Sequence, residues 1–227
     1  MNKERKQTIL TIFANCPVVA TNQIAKYFTN AQPDKRASEC LRDLEDEKLI
    51  EGYHRGIAGQ CKVWRLSKRG RDLAGLQRSP VPLNSNKIDH YLSLTDIWQQ
   101  LTTAGKLIRW RVELREPFGD KKKYCADAFA AYRSSSGTAL YMIESQLSPL
   151  TTKRWSEKWA LASAFMDSDA FKTASFQDLK TSKGEAITIK PQQIKILVLS
   201  NQQPDTIGAG TRLPLIIARD IKTAPIT

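Results

Sequence analysis

The run from Cys125 to Leu147, CADAFAAYRSSSGTALYMIESQL, limits the fold more than any other part of the chain. It reads as two apolar strands joined by the turn RSSSG. Yet Asp127 stands inside the first strand, and Glu144 and Gln146 stand two apart near the end of the second. Strand side chains alternate, so Glu144 and Gln146 project from one face and Ser145 from the other. The turn folds the first strand back and brings Asp127 beside Glu144. Two carboxylates buried side by side repel each other and have raised pKa values. A divalent cation between them relieves that repulsion, and oxygen ligands suit Mg2+ or Mn2+. Such an ion polarises a phosphate and lowers the pKa of a water, which is what phosphodiester cleavage needs.

The flanking segments complete an α/β sandwich. IDHYLSLTDIWQQLTTAG is a helix with Ile88, Leu92, Ile97 and Leu101 apolar. KLIRWRVELRE alternates, with Ile108, Trp110, Val112 and Leu114 on one face and Arg109, Arg111, Glu113 and Arg115 on the other. TTKRWSEKWALASAFM is a helix, and QIKILVLS is a fully buried strand expected to run parallel to a neighbour. The order is helix, three strands, helix, strand, unlike the repeated βαβ of a dinucleotide fold. No GxGxxG or Walker A stretch is present. His54 and His90 are the two histidines, too few for a clustered-histidine nuclease, and His90 is expected at a domain interface. Cys16, Cys40, Cys61 and Cys125 are scattered, without zinc-ligand spacing. Cys40 and Cys125 are expected as small buried hydrophobes.

The first third carries a different pattern. KQTILTIFANC, TNQIAKYF and PDKRASECLRDLEDEKLI read as three helices, the last with Ala37, Cys40, Leu41 and Leu44 as its core stripe. LIEGYH and CKVWRLS then form a hairpin around the tip RGIAGQ, and SKRGRDLAGL closes the unit. From Lys3 to Leu76 this order resembles the winged helix-turn-helix, in which the third helix enters the major groove and the wing rests on phosphates or in the minor groove. The candidate DNA contacts are Lys35, Arg36, Ser38 and Arg42 of that helix, with Arg55 and Lys62 of the wing. A formal net charge of +12 and a pI near 9.6 favour an acidic partner, most often nucleic acid. The acidic cluster DLEDEK supports a second reading, a winged helix that mediates protein contacts. QRSPVPLNSNK is the domain boundary. The expected domains are a winged helix over 1–78, a linker over 79–86 and a nuclease-like domain over 87–227. The basic, then apolar N-terminus is spaced as an amphipathic helix, not as a signal peptide. No apolar run reaches membrane-spanning length, and a cytoplasmic protein is expected.

The spacing of Asp127, Glu144 and Gln146, after an amphipathic helix and a strand, resembles the PD-(D/E)xK nuclease core. That resemblance makes Asp127 and Glu144 metal ligands. The third position, usually a lysine that orients the attacking water, is Gln146 here, a variant some members of that family tolerate. Lys153 and Lys158 on the following helix are available in its place, and Glu113 is available as a further ligand. An active nuclease and a degenerate, non-catalytic version both remain open.

Over roughly Thr8 to Ser200 the chain is similar to the replication-relaxation family, and especially to MobC-type conjugative relaxases. IDHYLSLTDIW, WRVE, ADAF and YMIESQLSPLTTKRWSEKW carry the likeness. In that family the positions of Asp127 and Glu144 are the nuclease-like acids, and an acid often stands where Gln146 does. The resemblance implies a relaxase that recognises a transfer origin in double-stranded DNA. It would nick one strand with Mg2+ or Mn2+, with an accessory mobilisation protein or coupling protein as partner. Arg109, Arg111, Arg115 and Lys121–Lys123 would hold the backbone. The alternative is a non-catalytic DNA-binding regulator or replication accessory protein. A third option is a restriction or repair nuclease with a similar core.

Overall fold

The computed structural model describes residues 3–28, 32–56, 61–76, 80–82, 87–103, 107–120, 122–134, 137–179, 189–209, 211–219 and 224. The chain is α+β and divides into two compact units, Met1–Trp98 and Gln99–Thr227. The wing tip at 57–60, Lys121, the turn at 135–136 and linker positions 79 and 83–86 lie outside the described residues.

The first unit opens with α1 (Lys3–Asn15), β1 (Val19–Ala20), α2 (Thr21–Ala25) and α3 (Pro33–Asp46). The strands β2 (Ile50–Tyr53) and β3 (Val63–Leu66) and the short α4 (Lys68–Leu73) follow. Proline at the start and Asp34 in the first turn favour α3 where it begins. Ala37, Cys40, Leu41 and Leu44 are its buried stripe, at helical spacing. Lys48 turns the chain into β2 at φ 57°. The three strands form an antiparallel sheet in the order β1-β3-β2. Ser67 caps α4 by accepting from the Gly70 N–H. A Cβ at Gly70 would stand 2.0 Å from the Leu49 carbonyl oxygen, so only glycine fits there.

The unit closes with most of α5 (Ile88–Thr103). The fully buried Thr95 donates its hydroxyl to the Val18 carbonyl at 2.8 Å. Gln23 Nε2 donates to the Leu92 carbonyl at 2.9 Å. These bonds satisfy buried polar groups and hold α5 to the first unit. The division therefore falls after Trp98, well beyond the proline-rich boundary expected at 79–86.

The second unit is built on one mixed sheet in the order β4-β5-β6-β7-β8. Its strands are β4 (Leu107–Phe118), β5 (Lys122–Ser134), β6 (Gly137–Gln146), β7 (Ile194–Ser200) and β8 (Leu215–Ala218). The first three are antiparallel. β7 lies parallel to both β6 and β8, as its apolar run led us to expect. Between β6 and β7 runs α6 (Thr152–Met166), and α7 (Pro204–Gly208) precedes β8. Trp155, Trp159, Phe165 and Met142 belong to one large core cluster between α6 and the sheet. The tryptophan rings stack with centroids 5.2 Å apart.

The simple alternation expected along β4 is interrupted. Glu113 has φ 53°, and the rungs Val112–Ala128 and Leu114–Ala126 form without one between Glu113 and Asp127. On β5 the cluster residues are Tyr124 and Ala126 before the break, then Phe129 and Ala131 after it. Both strands change phase at this point, so residues on either side of it share the α6 face. Cys125 is exposed rather than buried, whereas Cys40 is buried as expected.

Candidate active site

The break in the sheet lies beside the acidic pair. Phe129 pairs with Met142, and the β5–β6 ladder ends one rung further on, at Ala128 with Ile143. The same register carried one more residue sets Asp127 opposite Glu144. The Asp127 carboxylate takes over where the ladder stops, with Oδ2 accepting from the Ser145 N–H at 2.7 Å.

Glu144 continues the face of Leu140 and Met142. Its side chain is 1% exposed, and Lys158 Nζ, reaching across from α6, stands 2.5 Å from its Oε2. Oε1 is buried with no hydrogen-bond partner. Burial pushes the Glu144 carboxyl up to about 8; the Lys158 ammonium opposes the rise and Asp127 adds to it. For Lys158 burial works against the charged form, but Glu144 and Asp127 outweigh it and its pKa is raised. Lys158 falls on the inner side of its helix because it sits between the buried Trp155 and Trp159.

Tyr124 also belongs to this site, and strand alternation concealed it. Three residues before Asp127, it would face the other way but for the change of phase. Its hydroxyl is buried and without a hydrogen-bond partner. Burial first, then the charges of Glu144 and Asp127, push its pKa well up.

The other expected residues lie differently. Gln146 donates its amide to the Ser148 carbonyl at 2.7 Å, along the connection to α6. Glu113 lies 3.4 Å from Arg115 Nη2. It does not complete a metal-binding group: among the described residues no three His, Cys, Asp or Glu side chains are so arranged. Lys153 is exposed on the first turn of α6. Arg109 and Arg111 both reach Asp178 Oδ2, at 2.6 and 3.3 Å, so part of their charge is met within the chain.

Two carboxylates suffice for Mg2+, which usually keeps several waters and takes phosphate oxygens for the rest. The unpartnered Oε1 of Glu144, the nearby Asp127 carboxylate and the all-oxygen chemistry fit such an ion.

In the first unit, Lys35 and Arg42 are exposed on α3. Arg36 pairs with Glu39 at 3.2 Å, and the Ser38 hydroxyl donates to the Asp34 carbonyl. The two wing cations are engaged. Arg55 makes a bidentate pair with Asp89 of α5, at 2.6 and 2.9 Å. Lys62 pairs with Glu45 at 3.0 Å and lies 4.0 Å above the Trp64 ring. Neither engagement was legible in the sequence, because both join residues far apart along the chain.

A family model described as replication-relaxation matches residues 10–175, and the chain belongs to that family. Membership points to a role in plasmid replication or mobilisation. No curated protein matches the chain significantly. Among solved structures, restriction endonuclease FokI bound to DNA is similar at 12% identity and a TM-score of 0.34. That match covers 96% of this chain and 43% of FokI, so the chain spans less than half of that enzyme's length. No described helix is long and apolar enough to cross a membrane.

Proposed function

We propose that this protein is a plasmid-mobilisation nickase that binds a transfer origin and cuts one DNA strand with a bound divalent cation. The observation that carries the reading is the Asp127–Glu144–Lys158 group. A fully buried carboxylate with an unpartnered oxygen, a second carboxylate opposite it on the neighbouring strand and a lysine from the covering helix meet in one place. Perturbed, convergent groups of this kind mark functional sites.

In this reading the first unit is a winged helix. Its α2 and α3, followed by the β2–β3 hairpin, support the assignment, and Lys35 and Arg42 of α3 face the DNA. Asp127 and Glu144 hold Mg2+ or Mn2+. When bound, the ion polarises the phosphate and activates a water. The Ser145 N–H holds Asp127 in orientation, and Lys158 supplies positive charge toward the phosphate. The phase break keeps the carboxylates at the end of the β5–β6 ladder, where the strands no longer pair. An accessory mobilisation or coupling protein completes the proposed assembly.

The test is nicking of supercoiled DNA carrying the candidate origin, with and without Mg2+ or Mn2+. Conversion to open circles that needs the ion, and fails in Glu144→Gln, supports the proposal. No conversion with either ion rejects it.

A second reading, a DNA-binding regulator without catalysis, is favoured by the third position. Gln146 carries no charge, and its amide is committed to Ser148. Origin binding without cleavage would select it.

A further inference from the structure

We propose that the Glu144 carboxylate is held in turn by two cations, the Lys158 ammonium and the divalent ion, and that DNA phosphate drives the exchange by drawing the ammonium away. This rests on the reading of Asp127 and Glu144 as a cation site, and it assigns that site its regulation.

The geometry sets up the competition. Lys158 Nζ lies 2.5 Å from Glu144 Oε2, on the same buried carboxylate whose unpartnered Oε1 would help hold the ion. Two cations crowded on one buried carboxylate repel each other, which favours moving one of them away. Glu144 cannot follow either, because its strand is paired with β7 at Glu144–Val198 and its side chain is 1% exposed. Lys158 can move, since its side chain is 26% exposed and has a flexible four-carbon stem. The Trp155 ring, 5.8 Å from Nζ, flanks its path.

Charge balance supplies the direction. Counted with Glu144 ionised, as it is when it holds the ion, two carboxylates facing one ammonium leave one negative charge; adding a divalent ion without moving the lysine leaves one positive charge. With the ammonium transferred to a DNA phosphate, the two carboxylates and the ion balance. The ion and the DNA therefore assist each other, and the assistance is reciprocal. In the absence of DNA the lysine guards the site against ions.

The experiment measures Mn2+ binding to the full chain by the electron paramagnetic resonance signal of free Mn2+. It is run with and without a short duplex, with a duplex-only blank. The duplex should tighten Mn2+ binding to the wild type. Lys158→Gln should bind Mn2+ about 10-fold more tightly without DNA, with little further gain from the duplex. Removing the lysine also helps a proton hold Glu144. The lysine repels a divalent ion with twice the energy it repels a proton, so the net change still favours the ion. Lys158→Arg keeps the positive charge and should behave as the wild type, while Glu144→Gln should lose the ion. Equal Mn2+ binding by the wild type and Lys158→Gln, both abolished by Glu144→Gln, overturns the exchange and leaves the cation site standing. Failure of both the wild type and Lys158→Gln to bind Mn2+ overturns the cation site as well.

Discussion

Gln202 pairs with Leu150 as a strand residue would. Its Nε2 donates to the Leu150 carbonyl at 2.6 Å, and its Oε1 accepts from the Leu150 N–H at 2.8 Å. The same Oε1 accepts from the Trp155 indole at 3.0 Å. The β6–β7 ladder ends at Gln146 with Ser200, so this side chain carries the pairing past the edge of the backbone ladder. It ties the connection that follows Glu144 to the first turn of α6, the helix that bears Lys158.

Gln202→Ala should therefore loosen both sides of the site. Three hydrogen bonds at about 0.5–1.5 kcal/mol each give an expected loss of roughly 1.5–4.5 kcal/mol. Urea unfolding would measure it, and an unchanged midpoint would show that water replaces the amide.

Asp127→Ala and Glu144→Ala should each lower ion-dependent nicking by about 100-fold or more, the usual scale for losing an electrostatic contribution to the transition state. Duplex binding, measured by gel shift, should stay close to wild type. Gln146→Ala should be milder, since that amide is bonded to Ser148. Cleavage undiminished in both carboxylate variants would move the chemistry elsewhere in the chain.

Glu144 should make stability depend on pH. The folded carboxyl keeps its proton to about 8, against an ordinary value of 4.5. Between those values the folded chain binds more protons than the unfolded one, so stability falls as pH rises. The contribution is whole below 4.5 and gone above about 8. Wild type should lose on the order of a few kcal/mol more than Glu144→Gln between pH 5 and pH 8.5. Parallel stability curves for the two proteins would place the titration elsewhere.

Arg42 and Arg55 should separate binding from folding. Arg42 is exposed on α3, so Arg42→Ala should weaken duplex binding and reduce the salt slope by about 1. Arg55 is held by Asp89, so Arg55→Ala should mainly lower the melting temperature of the first unit. Salt-dependent fluorescence anisotropy, together with thermal unfolding, distinguishes the two. A larger binding defect from Arg55→Ala would mean that its pair with Asp89 opens on DNA.

The acidic residues were legible because a carboxylate inside an apolar strand is conspicuous, and the turn between the strands fixed Asp127 and Glu144 as neighbours. Lys158 was legible only as one of two lysines on the right helix. Its selection over Lys153 follows from where the tryptophans point. Tyr124 was not legible, because a change of phase inside two paired strands leaves no local mark beyond the backbone of Glu113. Glu116 illustrates the same limit: it is buried and accepts from the Ser175 N–H at 3.0 Å, a partner 59 residues away. The boundary expected in the proline-rich loop and the division after Trp98 differ for a simpler reason. Prolines and serines report a loop, but they do not say which side the next helix packs against.

The attachment of α5 also decides where the chain can be divided. A fragment ending in the proline-rich loop, at residue 82, would take away the acceptors of Gln23 and the partners of Lys26 and Arg55, namely Leu92, Asp96 and Asp89. It would bare the surface that Ile88, Tyr91 and Leu94 now cover. Such a fragment should be prone to aggregate and to protease attack. A fragment carried through Trp98 keeps its own lid, and is the smaller piece to isolate for footprinting on DNA.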